Sequence, residues 1–113
     1  NGMKILYYGK THNQAPAGMG VGFYEGKGHY IGEWKGNLRH GWGKHTFKDG
    51  SVYEGYFEND LRNGLGTYYY ASGETYTGYW KNDLMDGKGK ITNANGKTIN
   101  GIWESGKLKT SEK

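Results

Sequence analysis

The chain restates one phrase every 23 residues. Tyr7, Tyr30, Tyr53, Tyr76 and then Ile99 open successive units, and a glycine stands two positions after each opener, at Gly9, Gly32, Gly55, Gly78 and Gly101. A bulky ring follows two positions later in four of them, as Trp34, Phe57, Trp80 and Trp103. A Gly-x-Gly pair then recurs at Gly18 and Gly20, Gly41 and Gly43, Gly64 and Gly66, and Gly87 and Gly89. A fixed period in the 20–50-residue range means that each unit is one small supersecondary element that buries its apolar face only against its neighbours. The expected organisation is a single domain over residues 1–113, with units at 7–29, 30–52, 53–75 and 76–98 and a partial fifth at 99–113.

Turn chemistry says what each unit is. Gly36-Asn37 becomes Asn59-Asp60, Asn82-Asp83 and Ser105-Gly106 in later units. These residues accept positive φ, as a two-residue type I′ hairpin turn requires. Lys48-Asp49-Gly50 becomes Ala71-Ser72-Gly73 and Ala94-Asn95-Gly96. Glycine in third place fits a three-residue loop closed by a left-handed residue. Two alternating turns per unit predict an all-β protein: an open, twisted, single-layer antiparallel meander of tandem 23-residue hairpins. With Gly36-Asn37 as the turn, Lys35 faces Leu38, Gly32 faces Gly41 and Tyr30 faces Gly43. The three-residue loop then sets His45 opposite Tyr53 and Tyr68 opposite Tyr76. Tyr30, Gly32, Trp34, Gly41 and Gly43 thereby share one face. Glycines without Cβ atoms leave a trough in which rings lie flat over backbone. Truncating Trp80 or Tyr53 to alanine is expected to cost about 3 kcal/mol or more.

Composition suits this architecture. Hydrophobic residues make up 34% of the chain, and its apolar stock is mostly rings, with 11 Tyr, 4 Trp and 3 Phe beside 22 Gly. Tyrosine and tryptophan tolerate a wet edge, so they suit a layer with no second layer above it. The absence of cysteine excludes disulfide and thiol chemistry and is compatible with a reducing, intracellular setting. No apolar run reaches the length of a membrane-spanning helix, and no signal peptide is visible. Met3 is read as an initiator or an internal methionine of a longer chain.

Catalytic and metal chemistry find no foothold. "GMGVGFYEGKG" has the glycines of a phosphate loop, but no Gly-Lys-Ser/Thr and no following helix. His12, His29, His40 and His45 lack metal-ligand spacing, and Asp49, Asp60 and Asp83 sit at turns. Glu33, Glu54 and Glu58 read as exposed cross-strand partners of lysine or arginine. No nucleophile is accompanied by a base and an orienting group, so no enzyme, cofactor or metal is expected.

The phrase Tyr-x-Gly-x-Trp/Phe followed by Gly-x-Gly at 23-residue spacing resembles the MORN (membrane occupation and recognition nexus) repeat. "YIGEWKGNLRHGWGKHTFKDGSVYEGYF" and "YTGYWKNDLMDGKGKITNANGK" carry the likeness most fully, and it runs from residue 7 to about 106. "NDLRNGLGTYYY" is also similar to arrays in ciliary radial-spoke head proteins. The resemblance implies a twisted ribbon serving as an interaction module in scaffolds of cilia, cortical cytoskeleton and membrane contacts, or as a regulatory segment of lipid kinases. Unit one departs from the pattern with Thr11 in a ring position and Pro16 in a strand, and unit five, which ends in the polar "LKTSEK", reads as a fraying cap or a truncation. Choline-binding repeats share short aromatic hairpins, but their tandem Trp-Tyr-Tyr cages are missing here.

Two binding functions are expected, in order. The first is a protein scaffold gripping a helix or extended segment along the ribbon. Its candidate residues are Tyr30, Trp34, Tyr53, Phe57, Tyr76 and Trp80 on the aromatic stripe, with Trp42, Tyr56, Leu65 and Tyr79 on the opposite face, where Met19 also points. The second is peripheral attachment to anionic phospholipid, phosphoinositide or phosphatidylserine, through Lys35, Arg39, Lys44, Arg62, Lys81, Lys88 and Lys90. A formal charge of +4 permits it, although 11 acids interleave with the basic residues. Single-stranded nucleic acid ranks a distant third and is not expected, for want of a continuous groove. The two open edges of such a ribbon make a homodimer a further expectation.

Overall fold

Strands form here because outward and inward residues alternate strictly. In Val52–Glu58, for example, Tyr53, Gly55 and Phe57 are buried while Tyr56 and Glu58 are exposed. The computed structural model describes residues 5–112, so Met3 and the terminal Lys113 lie outside the described residues. Ten strands follow one another: β1 (Ile5–His12), β2 (Ala15–Tyr24), β3 (Gly28–Lys35), β4 (Leu38–Thr46), β5 (Val52–Glu58), β6 (Leu61–Tyr69), β7 (Thr75–Lys81), β8 (Leu84–Thr92), β9 (Thr98–Glu104) and β10 (Lys107–Glu112). They lie side by side in sequence order in one antiparallel sheet, β1 and β10 forming its ends, with overall dimensions of 50 × 24 × 23 Å. The expected all-β, single-layer meander is what the chain adopts. Where a fraying cap or a truncation is expected, residues 108–112 belong to β10, paired to β9 from Lys107↔Glu104 to Glu112↔Asn100.

The turns follow the sequence with one exception. Asn59 and Asp60, Asn82 and Asp83, and Ser105 and Gly106 all have positive φ, and so do Asn13 and Gln14 in the first hairpin. At Gly36-Asn37 only the glycine does, at 62°. That is the type II′ pattern, which places glycine first, rather than I′. The three-residue loops close as expected: the Phe47 N–H donates to the Ser51 carbonyl at 2.8 Å and the Gly50 N–H to the Phe47 carbonyl at 3.0 Å, with Gly50 at φ 95°.

Register inside each hairpin differs from the expectation. Lys35 does face Leu38, but Gly32 faces Gly43 instead of Gly41, and Tyr30 faces His45 instead of Gly43. Between Gly32↔Gly43 and Trp34↔Arg39, residues 40–42 of β4 lie opposite Glu33 alone, a bulge of two extra residues, and the same irregularity recurs in β6 and β8. The two glycines of each Gly-x-Gly pair therefore do different jobs. The first (Gly18, Gly41, Gly64, Gly87) has a φ of 82 to 102°, where a side chain would be strained. The second belongs to an unbroken row that crosses the sheet, Gly9, Gly20, Gly32, Gly43, Gly55, Gly66, Gly78, Gly89 and Gly101. Between hairpins the expected register holds, with His45↔Tyr53 and Tyr68↔Tyr76.

Rings fill that glycine row. A Cβ on Gly20, Gly43, Gly66 or Gly89 would enter the ring of Tyr7, Tyr30, Tyr53 or Tyr76 respectively. Each tyrosine reaches across its glycines, so that the Tyr30, Tyr53 and Tyr76 hydroxyls donate to the carbonyls of Glu33, Tyr56 and Tyr79 at 2.9, 2.8 and 3.0 Å. The indoles are anchored in the same way. Trp34 Nε1 donates to the Gly20 carbonyl and Trp80 Nε1 to the Gly66 carbonyl, at 3.1 and 3.2 Å. Edge-to-face contacts then link Tyr7, Trp34, Tyr30, Phe57, Tyr53, Trp80, Tyr76 and Trp103 into one herringbone, with centroids 5.0 to 5.4 Å apart. A single sheet thereby acquires a core on one face.

Candidate functional site

The inner face closes over itself. Tyr30, Tyr53 and Tyr76 have no exposed surface, and Trp34, Phe57 and Trp80 are buried around them. Six of the sequence candidates for partner binding thus sit together in the core, with their polar atoms spent on backbone carbonyls. The physical reason is the glycine row, which lets the rings sink until neighbouring rings cover them.

Two arginines seal this core. The Arg39 Nε donates to Asp60 Oδ1 at 2.7 Å and its Nη2 to the Asp60 carbonyl at 2.7 Å, while Cζ lies 4.7 Å from the Phe57 ring centroid. One unit later Arg62 repeats the arrangement with Asp83 at 2.6 and 2.9 Å, its Cζ 4.6 Å above Trp80. The Asp83 carboxyl is held below its usual range by these Arg62 contacts, which outweigh the opposing effect of burial. Each aspartate also accepts the backbone N–H of its arginine. These ties fix the turn of one unit to the strand of the preceding one. The third such contact has Met85 and Gly106 in the equivalent places and keeps only the backbone bond, from the Gly106 N–H to the Met85 carbonyl at 2.8 Å. Arg39 and Arg62, offered by the sequence as lipid contacts, are therefore ion-paired and stacked. A parallel ladder at the bulges has the His40 Nδ1, Asn63 Oδ1 and Asp86 Oδ2 atoms accepting the N–H groups of Asn59, Asn82 and Ser105. Neither ladder was foreseen from the sequence, although the 21- and 19-residue separations repeat once per unit.

A cleft of about 480 Å³ opens beside the first arginine, lined by Tyr24, Arg39, His45, Phe47, Asp60 and Tyr68 among others. His45 is buried at 2% exposure. Its Nε2 lies 2.9 Å from the Lys27 carbonyl oxygen, so Nε2 carries the proton and Nδ1 faces Arg39 Nη1 at 3.3 Å as an acceptor. Burial pushes the imidazole pKa down to about 4, so at neutral pH the ring is uncharged with both nitrogens engaged. Burial likewise pushes Tyr24 up to about 12, and its buried hydroxyl has no protein partner. Among the described residues no group of three His, Cys, Asp or Glu side chains could hold a metal ion.

The outer face is different. Trp42, Tyr56, Leu65 and Tyr79 are 43, 46, 46 and 51% exposed, and Met19 on β2 is 54% exposed. Trp42 pairs with Tyr56 across β4 and β5, with ring centroids 4.9 Å apart, and Leu65 pairs with Tyr79 across β6 and β7. The row crosses the strands along the length of the ribbon. Lys35, Lys44, Lys81, Lys88 and Lys90 are all exposed, and they alternate in phase with the same outward positions. The structure thus brings the four opposite-face candidates and five of the seven lipid candidates onto one surface.

An open sheet of tandem hairpins, with one face packed as a core and the other presenting a row of apolar side chains, defines a repeat ribbon. The MORN repeat family model matches residues 30–52, 53–75 and 76–98, which is more than half of the chain, so this chain belongs to the MORN-repeat family. No curated protein matches it. Among the described residues no helix is long and apolar enough to cross a membrane.

Proposed function

We propose that the chain is a non-catalytic scaffold module whose outer face takes a segment of a partner protein along Trp42, Tyr56, Leu65 and Tyr79. The observation that carries this is the contrast between the two faces. The sequence contains four tryptophans, of which Trp34, Trp80 and Trp103 are buried, whereas Trp42 stands outward beside other half-exposed apolar groups. Exposed rings and leucine in one continuous row mark an interaction surface, and tryptophan and tyrosine are over-represented among the residues that dominate binding energies. The role suits a module working inside the cell, at the cytoskeleton or a membrane.

A photo-reactive residue placed at Tyr56 tests this against an inner-face control at Tyr68. The expected result is a cross-link to a partner from position 56, lost when Trp42→Ala and Tyr79→Ala are combined in a chain that keeps its melting temperature. Cross-linking from position 68 alone contradicts the assignment. The lysines on the same outer face favour a second reading, attachment to anionic phospholipid. Flotation with vesicles containing phosphatidylserine or phosphoinositide, at low and physiological salt, separates the two. The open edges at β1 and β10 offer a contact for another copy of the chain, which sedimentation over micromolar concentrations detects.

A further inference from the structure

The outer row changes character along the ribbon. Over β4 to β7 it presents Trp42, Tyr56, Leu65 and Tyr79, and the next outward position on β8 is Lys88, with Lys90 two residues further along the same strand. The side chains across from these lysines are uncharged: Ile102 faces Lys88, while Thr77 and Asn100 face Lys90. Among the described residues the salt bridges are Arg39–Asp60, Arg62–Asp83 and Lys109–Glu104, so neither lysine takes part in one. Glu104, the acid on the neighbouring strand β9, is held by Lys109 at 3.1 Å, and Asp86 accepts the Ser105 N–H. On β5, Glu54 faces Lys44 and Glu58 accepts from Asn63. One end of the apolar row is therefore a cationic step with no internal neutralisation.

Spacing selects the kind of chain that fits. Adjacent strands lie about 4.8 Å apart, so the four apolar positions recur at roughly 0, 5, 10 and 14 Å, with Lys88 at roughly 19 Å. An α-helix rising about 1.5 Å per residue places positions i, i+3, i+7 and i+10 at roughly 0, 4.5, 10.5 and 15 Å, with i+14 at roughly 21 Å. An extended segment brings a side chain to one face only every 6.5–7 Å or so, so it misses the two middle positions, Tyr56 and Leu65, and meets the row again only at Tyr79, whereas the helix serves all four. We infer that the occupant of the outer face is an amphipathic helix of a partner protein lying along the ribbon, its apolar stripe on Trp42, Tyr56, Leu65 and Tyr79 and a pair of carboxylates at one end meeting Lys88 and Lys90. This rests on the scaffold assignment above and specifies its partner.

The test uses the full chain and three synthetic peptides of about 18 residues. The first carries leucines at i, i+3, i+7 and i+10 with two glutamates one turn beyond them. The second has lysines in place of the glutamates, and the third has a central proline that forbids the helix. Binding is followed by the emission of Trp42, with Trp42→Phe identifying the signal. The glutamate peptide is expected to bind at least about tenfold more tightly than either other peptide. K88E/K90E, whose exposed positions leave the melting temperature unchanged, is expected to reverse the preference between the glutamate and lysine peptides. Equal binding of the charged pair, or no effect of K88E/K90E, overturns the carboxylate assignment. Equal binding of the proline peptide overturns the helix. In either of those cases, loss of binding in Leu65→Glu leaves the outer-face scaffold standing. Absence of binding by all three peptides, combined with flotation on phosphatidylserine vesicles that K88E/K90E abolishes, overturns the scaffold assignment as well and makes the face a lipid-binding one.

Discussion

Gly43→Ala adds one methyl group to a strand, where alanine is ordinarily the better residue by about 0.5–1 kcal/mol. The φ of Gly43 lies outside the left-handed region, so the backbone accepts a side chain. The obstacle is the Tyr30 ring, whose hydroxyl, Cζ and Cε1 occupy the space of the new Cβ. Tyr30 has no exposed surface into which to swing freely. Displacing it breaks the hydroxyl bond to the Glu33 carbonyl, worth about 1 kcal/mol. It also disturbs the edge contacts with Trp34 and Phe57, each at 5.2 Å and each worth about 0.5–1.5 kcal/mol. Overpacking adds about 1–3 kcal/mol, giving roughly 2–6 kcal/mol in all once the alanine propensity is set against it. Gly50→Ala is the matched control. Its φ of 95° disfavours a side chain by about 1–2 kcal/mol, but no atom lies within 4 Å of the new methyl. Urea denaturation should place Gly43→Ala about 2.5 kcal/mol below Gly50→Ala, the difference between the middles of the two ranges, and in a Tyr30→Ala background the Gly43 substitution should lose most of its effect. Equal losses at the two glycines, or a Gly43 effect independent of Tyr30, would refute the idea that this glycine exists to seat a ring.

Three further outcomes follow from the same structure. Arg62→Met removes the Asp83 ion pair and the guanidinium above Trp80, and is expected to destabilise by about 2 kcal/mol. Adding Asp83→Gly reproduces the Met85–Gly106 junction of the next unit and should recover part of that loss in the same urea titration. His45 is neutral in the fold with its pKa lowered to about 4, whereas the unfolded chain titrates at 6.5. The His45 contribution is therefore constant above pH 6.5, and stability falls as pH drops from 6.5 towards 4, by at most about 3 kcal/mol, because only the unfolded state gains the proton there. His45→Phe should flatten that limb of the stability profile. Burial raises Tyr24 and Tyr76 to about 12, so stability is intact below pH 10 and declines as pH rises from 10 towards 12. Tyrosinate absorbance from Tyr24 and Tyr76 should then appear together with the loss of the fold.

How much of this was legible depended on whether the signal was local. Turns at Asn59-Asp60, Asn82-Asp83 and Lys48-Asp49-Gly50 are written in residue types that only a few backbone conformations favour, and the pairing between hairpins followed from loop length and parity. The bulge opposite Glu33 was not legible, because Gly41 and Gly43 are chemically identical and only the fold separates a left-handed glycine from a ring seat. Burial of Tyr30, Tyr53 and Tyr76 was foreseen as packing, yet the same residues were also offered as a docking surface. The alternation pattern tells which residues share a face but not how deeply rings sink into it. Arg39 and Arg62 read as free cations because their partners lie 21 residues away, across a unit boundary that no short window covers. Conversely, phase alone sets Trp42, Leu65 and Met19 apart as side chains pointing away from the stripe, and all three are exposed.

The central claim is that one face of this ribbon is a closed aromatic core and the other an open docking row. The most direct measurement labels the four tryptophans with 5-fluorotryptophan and records their resonances against a soluble paramagnetic agent. Three resonances, from Trp34, Trp80 and Trp103, should stay sharp, while the one from Trp42 broadens and regains protection when the glutamate-tipped helix is added. Broadening of the Trp34 or Trp80 resonance in the folded chain, or a Trp42 resonance already shielded without any partner, would contradict the account.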